Sequence, residues 1–410
     1  MTTLEPLCVR RPLPSWLCLR ATLARRVVAR MVHQLPLRMR YPDGSTAGGG
    51  GADDPVIQLV RPRALFGRLA HSPKIGVGES YMAGDWYAAD GADLAAVLMP
   101  FAERVATIVP KPLVRLRRLA DRPVPTASRN TIDGARGNIE AHYDLSNELF
   151  AAFLDPTLSY SSALFDEAQP YAGQDLATAQ QRKIDTVLDR AGVTAGSRVL
   201  EIGTGWGSLA IAAARRGAHV TTVTISQKQY DLAAKRITEA GLTDLVDLRL
   251  QDYREVDGEY DAVVSVEMIE AVGVEYWPTY FQTVEKRLAP GGRAVIQAIL
   301  MEHDRLMQTW RSHSWIQKYI FPGGVIPSLD AIEATVGEHT GLRLTGRHHF
   351  GLHYAETLRR WRATFSTNWP QISELGFDER FRRMWEFYLA YCEAGFAVKY
   401  LDVAHLELTR

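Results

Sequence analysis

Val199-Leu200-Glu201-Ile202-Gly203-Thr204-Gly205-Trp206-Gly207 is the stretch on which the fold turns. SRVLEIG (197–203) reads as a strand, and LAIAAARRG (209–217) as a helix closed by Gly217. Three alternate glycines lie between them. Glycine is needed there because the backbone must bend sharply and approach a ligand with no Cβ in the way. Working outward, AHVTTVTIS (218–226) reads as a strand and KQYDLAAKRITEAG (228–241) as a helix closed by Gly241. VDLRLQD (246–252) and YDAVVSVEMI (260–269) read as strands, YWPTYFQTVEKRLAPGG (276–292) as a helix with a turn, and RAVIQAIL (293–300) as a strand. This β-α-β-α order predicts an α/β fold, a doubly wound, mostly parallel sheet with helices on both faces. Ligands of such sheets bind at the carboxyl ends of the strands, where the glycine loop falls.

Two cofactor classes compete for that loop. A dinucleotide expects GxGxxG and an acid about 20 residues on for the ribose. Here the spacing is GxGxG, and the later position is Thr224. An acid two residues before the first glycine, E-x-G-x-G-x-G, is instead the S-adenosyl-L-methionine loop of class I (Rossmann-like) methyltransferases. Glu201 then faces the amino-acid part of the cofactor. An ordinary tight turn is the bland alternative.

The 410 residues carry 47 basic and 47 acidic side chains, which disfavours a globally basic nucleic-acid binder. A hydrophobic share of 46% with 23% charged residues fits an ordinary globular protein. No apolar run approaches the roughly 18 residues of a membrane span. Cys8, Cys18 and Cys392 make neither a disulfide framework nor a CxxC site, so a reducing, cytoplasmic location is expected. His142, His348, His349 and His353 lack metal-ligand spacing, and no metal is expected.

Residues 1–40 hold eight arginines and one acid, Glu5, without the apolar core of a secretory signal. Arg20, Arg25, Arg26 and Arg30 alternate with Leu19, Leu23, Val27, Val28, Met31 and Val32 as a basic amphipathic helix. Such a helix either packs on its own domain or touches anionic lipid. The glycine-rich 42–55 reads as a flexible loop or linker. VIQLV (56–60) reads as a strand of a small mixed domain over 56–100. The basic 104–136, from Arg104 to Arg136, reads as a helix and an extended linker. It is either a solvated connection or a surface for phosphate head groups. The expected division is 1–125, a lipid-facing or dimerising domain with a glycine-rich linker at 44–51, and 126–410, the methyltransferase domain. The last 110 residues read as mostly helical.

HYDLSNELFAAFLDPTLSYSSALF (142–165), LATAQQRKID (176–185), VTISQKQ (223–229), QDYR (251–254), VSVEMIEAVG (264–273), KYIFPGG (318–324) and HHFGLHY (348–354) join the glycine loop in one resemblance. Together they resemble the cyclopropane-fatty-acyl-phospholipid synthases and mycolic acid methyltransferases. The match runs from 138 to about 405, and more weakly over 56–100, where such synthases carry a small N-terminal domain. The resemblance implies S-adenosyl-L-methionine as co-substrate and helical lid insertions around an acyl-chain pocket. Tyr160 and Ser161 would contact the cofactor. Glu201, Gly203, Gly205 and Gly207 would form its loop. Thr224, Ile225, Ser226 and Gln229 would replace the usual ribose-binding acid, with Asp252 and Tyr253 near the adenine. It further implies a membrane phospholipid substrate, peripheral contact at the inner membrane surface, a homodimer and a separate reductase as partner, with no nucleic acid.

The family methylates a cis double bond in a phospholipid acyl chain. An alkene is a poor nucleophile, and its attack on a sulfonium methyl leaves a carbocation. Donor and alkene must be aligned, the cation faced by aromatic rings, and a proton removed. Tyr143, Trp206, Tyr253, Tyr319, Phe321, Phe350, Tyr354, Trp385, Tyr388 and Tyr391 supply rings for that box or for the core. In the cyclopropane synthases the base is a bicarbonate, held by a glutamate, a histidine, a tyrosine and backbone groups near a cysteine. By position the glutamate is Glu270 and the tyrosine Tyr354. The histidine becomes Gln297, which donates a hydrogen bond but carries no proton. The cysteine becomes Ser162. A usual glycine becomes Glu267, either a solvent-facing or capping acid or a second carboxylate of the site. Glu270 and Tyr354 are expected to handle the proton, with Gln297 and Glu267 setting its route. Cys392 falls at a cysteine of the family, but the chemistry needs no thiolate, and a packed small residue is the simpler reading.

These departures weigh against ring closure. The cation either loses a methyl proton and closes a cyclopropane, or first undergoes a 1,2-hydride shift and then yields an exocyclic methylene. Actinobacterial relatives make methylene chains that a reductase turns into 10-methyl chains. A 10-methylene product is the favoured reading. Ring formation, a non-catalytic lipid-binding protein of the same fold, and methylation of a small polar or protein substrate are the alternatives.

Overall fold

The computed structural model of the chain describes residues 15–89, 91–104 and 146–410. Cys8, Tyr143, His142 and the basic stretch from 105 to 136 lie outside the described residues, as does the side chain of Cys18. The described residues belong to two compact units, one up to Pro100 and one that includes everything from Ser146 to Arg410.

In the first unit four short strands form a sheet: β1 (Arg38–Arg40), β2 (Thr46–Ala47), β3 (Val56–Leu59) and β4 (Trp86–Ala88), in the order β2-β1-β3-β4. Leu37, Met39, Leu59, Phe66 and Trp86 are buried in this unit. Asp85 is fully buried and takes ion pairs from Arg61 and Arg68. The basic helix is present as Ser15–Val32 and packs against helix Pro62–His71. Arg20, Arg25, Arg26 and Arg30 are exposed on it. The glycine-rich segment is not a linker. Thr46–Ala47 pair with β1, and the glycines after them lie against the backbone of residues 33–38. A Cβ on Gly49 would sit 2.3 Å from His33 O, and one on Gly50 2.7 Å from Leu37 N. Close backbone approach, rather than flexibility, selects glycine here.

The second unit is built on a seven-stranded sheet. Its strands are β5 (Arg198–Ile202), β6 (His219–Thr224), β7 (Val246–Leu250), β8 (Tyr260–Val266), β9 (Leu288–Met301), β10 (Arg343–His349) and β11 (Leu401–Thr409). The order is β10-β11-β9-β8-β5-β6-β7. Neighbours from β9 to β7 run parallel, and β11 is antiparallel to both β9 and β10. Period-two alternation buries both faces. Leu200, Val263 and Ile296 join one core, which includes Tyr280, Phe281 and Ile332 from helices Trp277–Arg287 and Leu329–His339. Val199, Val264 and Val295 join the other, with Ile184, Leu188, Ile211 and Ile237 from helices Leu176–Arg190, Ser208–Arg215 and Gln227–Glu239.

In this unit too the structure departs from the sequence reading. The expected turn at 288–292 belongs to β9, whose register against β8 shifts between Tyr260 and Ala262. Gly292 allows this, since a Cβ there would come 2.8 Å from Asp261 O. The last 110 residues also carry two strands, β10 and β11, besides helices Gly351–Thr367 and Glu379–Ala397. Those two helices pack on each other over an aromatic cluster of Phe150, Phe153, Tyr160, Trp361 and Trp385. Trp361 is fully buried, with its ring 5.4 Å from that of Tyr160. Trp361→Ala is expected to lower stability by about 3–5 kcal/mol, read as a fall in the urea midpoint. A loss within about 0.5 kcal/mol, the size of an ordinary surface change, would contradict the packing.

Candidate functional site

The glycine loop leaves β5 at the carboxyl edge of the sheet. Gly203 has φ +96°, Gly205 +52° and Gly207 +87°, backbone that L side chains rarely adopt. A Cβ on Gly203 would also strike Met268 Cγ and Sδ at 2.6 and 2.7 Å. The N–H groups of Gly203 and Thr204 both donate to Val223 O, at 3.0 and 3.1 Å. Trp206 Nε1 donates to Asn147 Oδ1 at 2.9 Å. Below the loop, Thr222 Oγ1 donates to Glu201 Oε2 at 2.6 Å and meets Thr204 Oγ1 at 2.7 Å. Burial pushes the Glu201 carboxyl up to about 8.

A cavity opens over this loop. Tyr160, Ser161, Glu201, Gly203, Gly205, Thr224, Ile225, Gln229, Asp252 and Tyr253 all line it. Gly207 and Ser226 stand behind the wall and shape it. Gly207 starts helix Ser208–Arg215, and Ser226 caps helix Gln227–Glu239 by accepting from Gln229 N at 3.3 Å. Thr224 Oγ1 donates to Gln229 Oε1 at 2.9 Å. Both Asp252 oxygens are taken by Arg254, at 2.6–2.8 Å. The Tyr253 hydroxyl is buried with no hydrogen-bond partner, so the wall holds an unused polar atom.

Sequence reasoning assigned no role to Lys183, which also lines the cavity. It is buried and donates from Nζ to Ser161 Oγ at 2.7 Å. Burial pushes its ammonium down to about 8, against the pull of Glu267, Asp155 and Glu201. Three residues earlier Gln180 Nε2 donates to Ser161 O at 2.8 Å. Two polar residues on the apolar stripe of one amphipathic helix were the available signal.

Two carboxylates follow β8, of which Glu267 is on the far wall of the cavity. Glu267 Oε1 accepts from Ser162 N at 2.9 Å and Gln297 Nε2 at 2.8 Å, and its Oε2 accepts from Tyr354 O–H at 2.8 Å. It is thus neither a solvent-facing acid nor a cap. Gln297 is fully buried, and His405 Nε2 lies 2.9 Å from its Oε1. Burial pushes His405 down to about 3, so the ring is neutral and Nε2–H donates. Ser162 acts through its N–H, while its hydroxyl donates to Ala163 O at 3.0 Å. Glu270 Oε1 accepts from Ile299 N, and its Oε2 is buried without a partner. Burial, then the neighbouring Glu267 charge, pushes Glu270 up to about 8. Tyr354, expected to work with Glu270, is bonded instead to Glu267. Desolvation pushes the Cys392 thiol up to about 12, which denies it a thiolate at neutral pH.

Residues 131–406 match the family described as mycolic acid cyclopropane synthetase. The chain is 50% identical over 393 residues to the tuberculostearic acid methyltransferase UfaA1 of Mycobacterium tuberculosis, covering 95% of this chain and 91% of that one. It is 33% identical over 359 residues to the cyclopropane-fatty-acyl-phospholipid synthase of Escherichia coli, covering 87% and 88%. Among solved structures, the cyclopropane synthase MmaA2 from Mycobacterium tuberculosis superposes with a TM-score of 0.61 at 28% identity, covering 67% of this chain and 98% of that one. The mycolic acid cyclopropane synthase CmaA1, complexed with SAH and CTAB, gives 0.61 at 27%, with the same coverage. The chain belongs to the mycolic acid cyclopropane synthetase family.

The carboxylate pair has a pH signature. Folded, Glu270 stays neutral up to about 8, whereas unfolded it ionises above its ordinary 4.5. Its contribution to stability is therefore present at low pH and lost as pH rises toward 8. Urea midpoints of the wild type and Glu270→Gln should separate between pH 5 and 8, the variant gaining by about 1 kcal/mol per unit at the steepest. A pH-independent gap would mean that Glu270 is ionised in the fold.

Proposed function

We propose that the chain adds a carbon from S-adenosyl-L-methionine across the cis double bond of an unsaturated phospholipid acyl chain, and that the product is a methylene-branched chain. Methyl transfer from S-adenosyl-L-methionine to fatty acyl chains is the chemistry of this family. The observation that carries the reading is one cavity with two unlike walls. A glycine cradle forms one, and the Glu267 carboxylate, with Glu270 three residues on, marks the other.

The residues present fit the cofactor. Gly203 and Gly205 line the cavity with left-handed backbone and no side chain, and the Tyr253 hydroxyl is unclaimed. When bound, S-adenosyl-L-methionine supplies a methyl group on a positively charged sulfur. Gly203, Gly205 and Glu201 would hold its amino-acid end, Thr224 and Gln229 its ribose, and Asp252 and Tyr253 its adenine. Tyr160 and Ser161 would close the wall nearest the reacting carbon. The rings of Tyr354 and Tyr388 would offer aromatic faces to a cation on the chain without trapping it. Tyr160 and Tyr388 share a hydrogen bond of 2.8 Å that fixes both rings.

The methylene product is supported by the relative called a tuberculostearic acid methyltransferase and by Gln297, whose amide does not shuttle a proton. No helix among the described residues is long and apolar enough to cross a membrane. The exposed arginines of helix Ser15–Val32 would meet anionic lipid at a bilayer surface.

A proton spectrum of lipid recovered after incubation with oleoyl phospholipid and S-adenosyl-L-methionine tests this. Ring and methylene products are isomers, so mass does not separate them. Vinylidene protons are expected. Upfield ring protons would overturn the product, and no new signal would overturn the substrate. Gly203→Ala should weaken S-adenosyl-L-methionine binding about tenfold or more in calorimetry, because strain and the Met268 collision distort the loop. Unchanged affinity would remove the loop from the cofactor site.

A further inference from the structure

We propose that the Glu267 carboxylate is this enzyme's general base and stands in the place of a bound external anion, so that turnover needs no bicarbonate. The inference rests on the acyl-chain methylation proposed above. Three donors from separate segments converge on one point: Ser162 N–H, Gln297 Nε2–H and Tyr354 O–H, at 2.8–2.9 Å. Such a set holds a small planar anion. Here the chain itself delivers the anion. Both Glu267 oxygens are engaged, so the donors have no vacancy for a second one.

The backbone is arranged for this delivery. Glu267 has φ +52°, one of three non-glycine residues with positive φ among the described residues. A glycine would sit there without strain. A glutamate persists only where the surroundings enforce it. Glu267 N–H donates to Gln297 O at 2.8 Å, just past the β8–β9 pair Val266–Gln297. Gln297 is itself oriented by His405, whose neutral ring donates to the amide oxygen and so turns the amide N–H toward Glu267. The neighbouring Glu270, pushed up to about 8, is neutral at physiological pH and does not compete with Glu267 for the charge. Desolvation raises the Glu267 carboxyl above its ordinary range, which improves it as a proton acceptor.

The step balances. The alkene π pair forms the bond to the incoming methyl carbon, and the carbon–sulfur pair stays on sulfur. A 1,2-hydride shift moves the positive charge to the methyl-bearing carbon. A methyl C–H bond then breaks, its pair becomes the exocyclic double bond, and the proton passes to Glu267.

The test compares the wild type with Glu267→Gly, a variant whose residue suits the left-handed backbone. In buffer stripped of carbon dioxide the wild type should turn over at full rate, and added bicarbonate should change nothing. Glu267→Gly should lose about 100-fold or more, and bicarbonate or formate should restore part of it. A carbon-13 bicarbonate titration of the lipid-free proteins, followed by NMR, should show binding to Glu267→Gly and none to the wild type. Wild-type turnover that falls on depletion and recovers with bicarbonate would overturn the proposal. So would a Glu267→Gly enzyme fully active in stripped buffer, or one that neither binds the label nor responds to either anion. The titration needs no substrate. If the wild type methylates no lipid, the function reading falls by itself, while the titration still decides who occupies the anion position.

Discussion

Three chain segments that are far apart in sequence meet on the Glu267 carboxylate. A loop brings Ser162 N–H, β9 brings Gln297, and helix Gly351–Thr367 brings Tyr354. A carboxylate taken out of water without partners costs several kcal/mol. Here three donors offset that cost, and the segments that supply them are thereby fixed relative to one another. Helix Gly351–Thr367 in turn carries Trp361, on which the aromatic cluster packs. One desolvated charge thus ties the sheet edge to the helical layer above it.

The sheet explains why the two walls face each other. β5, β8 and β9 are neighbours, and each carries or adjoins a residue of the site toward its carboxyl end. Glu201 is the last residue but one of β5, Glu267 follows β8, and Gln297 on β9 lies opposite Val266. Alternating side chains are spent on the two cores, so chemistry is confined to the strand ends. Within that space the charges are separated by environment. Glu267 has three donors, Glu270 one backbone N–H, and Lys183 a single serine hydroxyl. Burial raises both carboxyls, and the unequal support favours the charge on Glu267 over Glu270, as pairs of carboxyls with different roles require.

Much of this was readable from residues alone. The alternation of helices and strands between 197 and 300 and the glycine loop carry their own periods. The loop's acid and spacing separated the methionine-derived cofactor from a dinucleotide. The roles of Glu270, Tyr354, Gln297 and Ser162 came from resemblance by position. Glu267 was left between a surface acid and a site acid, because one residue after a strand has no periodicity and its left-handed φ is invisible in sequence. Lys183 reads as an ordinary helix charge until Ser161, 22 residues away, is brought to it. β10 was missed because it is an edge strand with no buried side chain. Gly48–Gly50 read as flexible in sequence because composition does not distinguish a linker from backbone packed on backbone.

The most direct measurement is a high-resolution crystal structure with S-adenosylhomocysteine, grown in the presence of bicarbonate. The Glu267 carboxylate is expected between Ser162 N, Gln297 Nε2 and Tyr354 Oη, with no separate anion there. A carbonate-shaped density on those three donors, with Glu267 turned away, would contradict it.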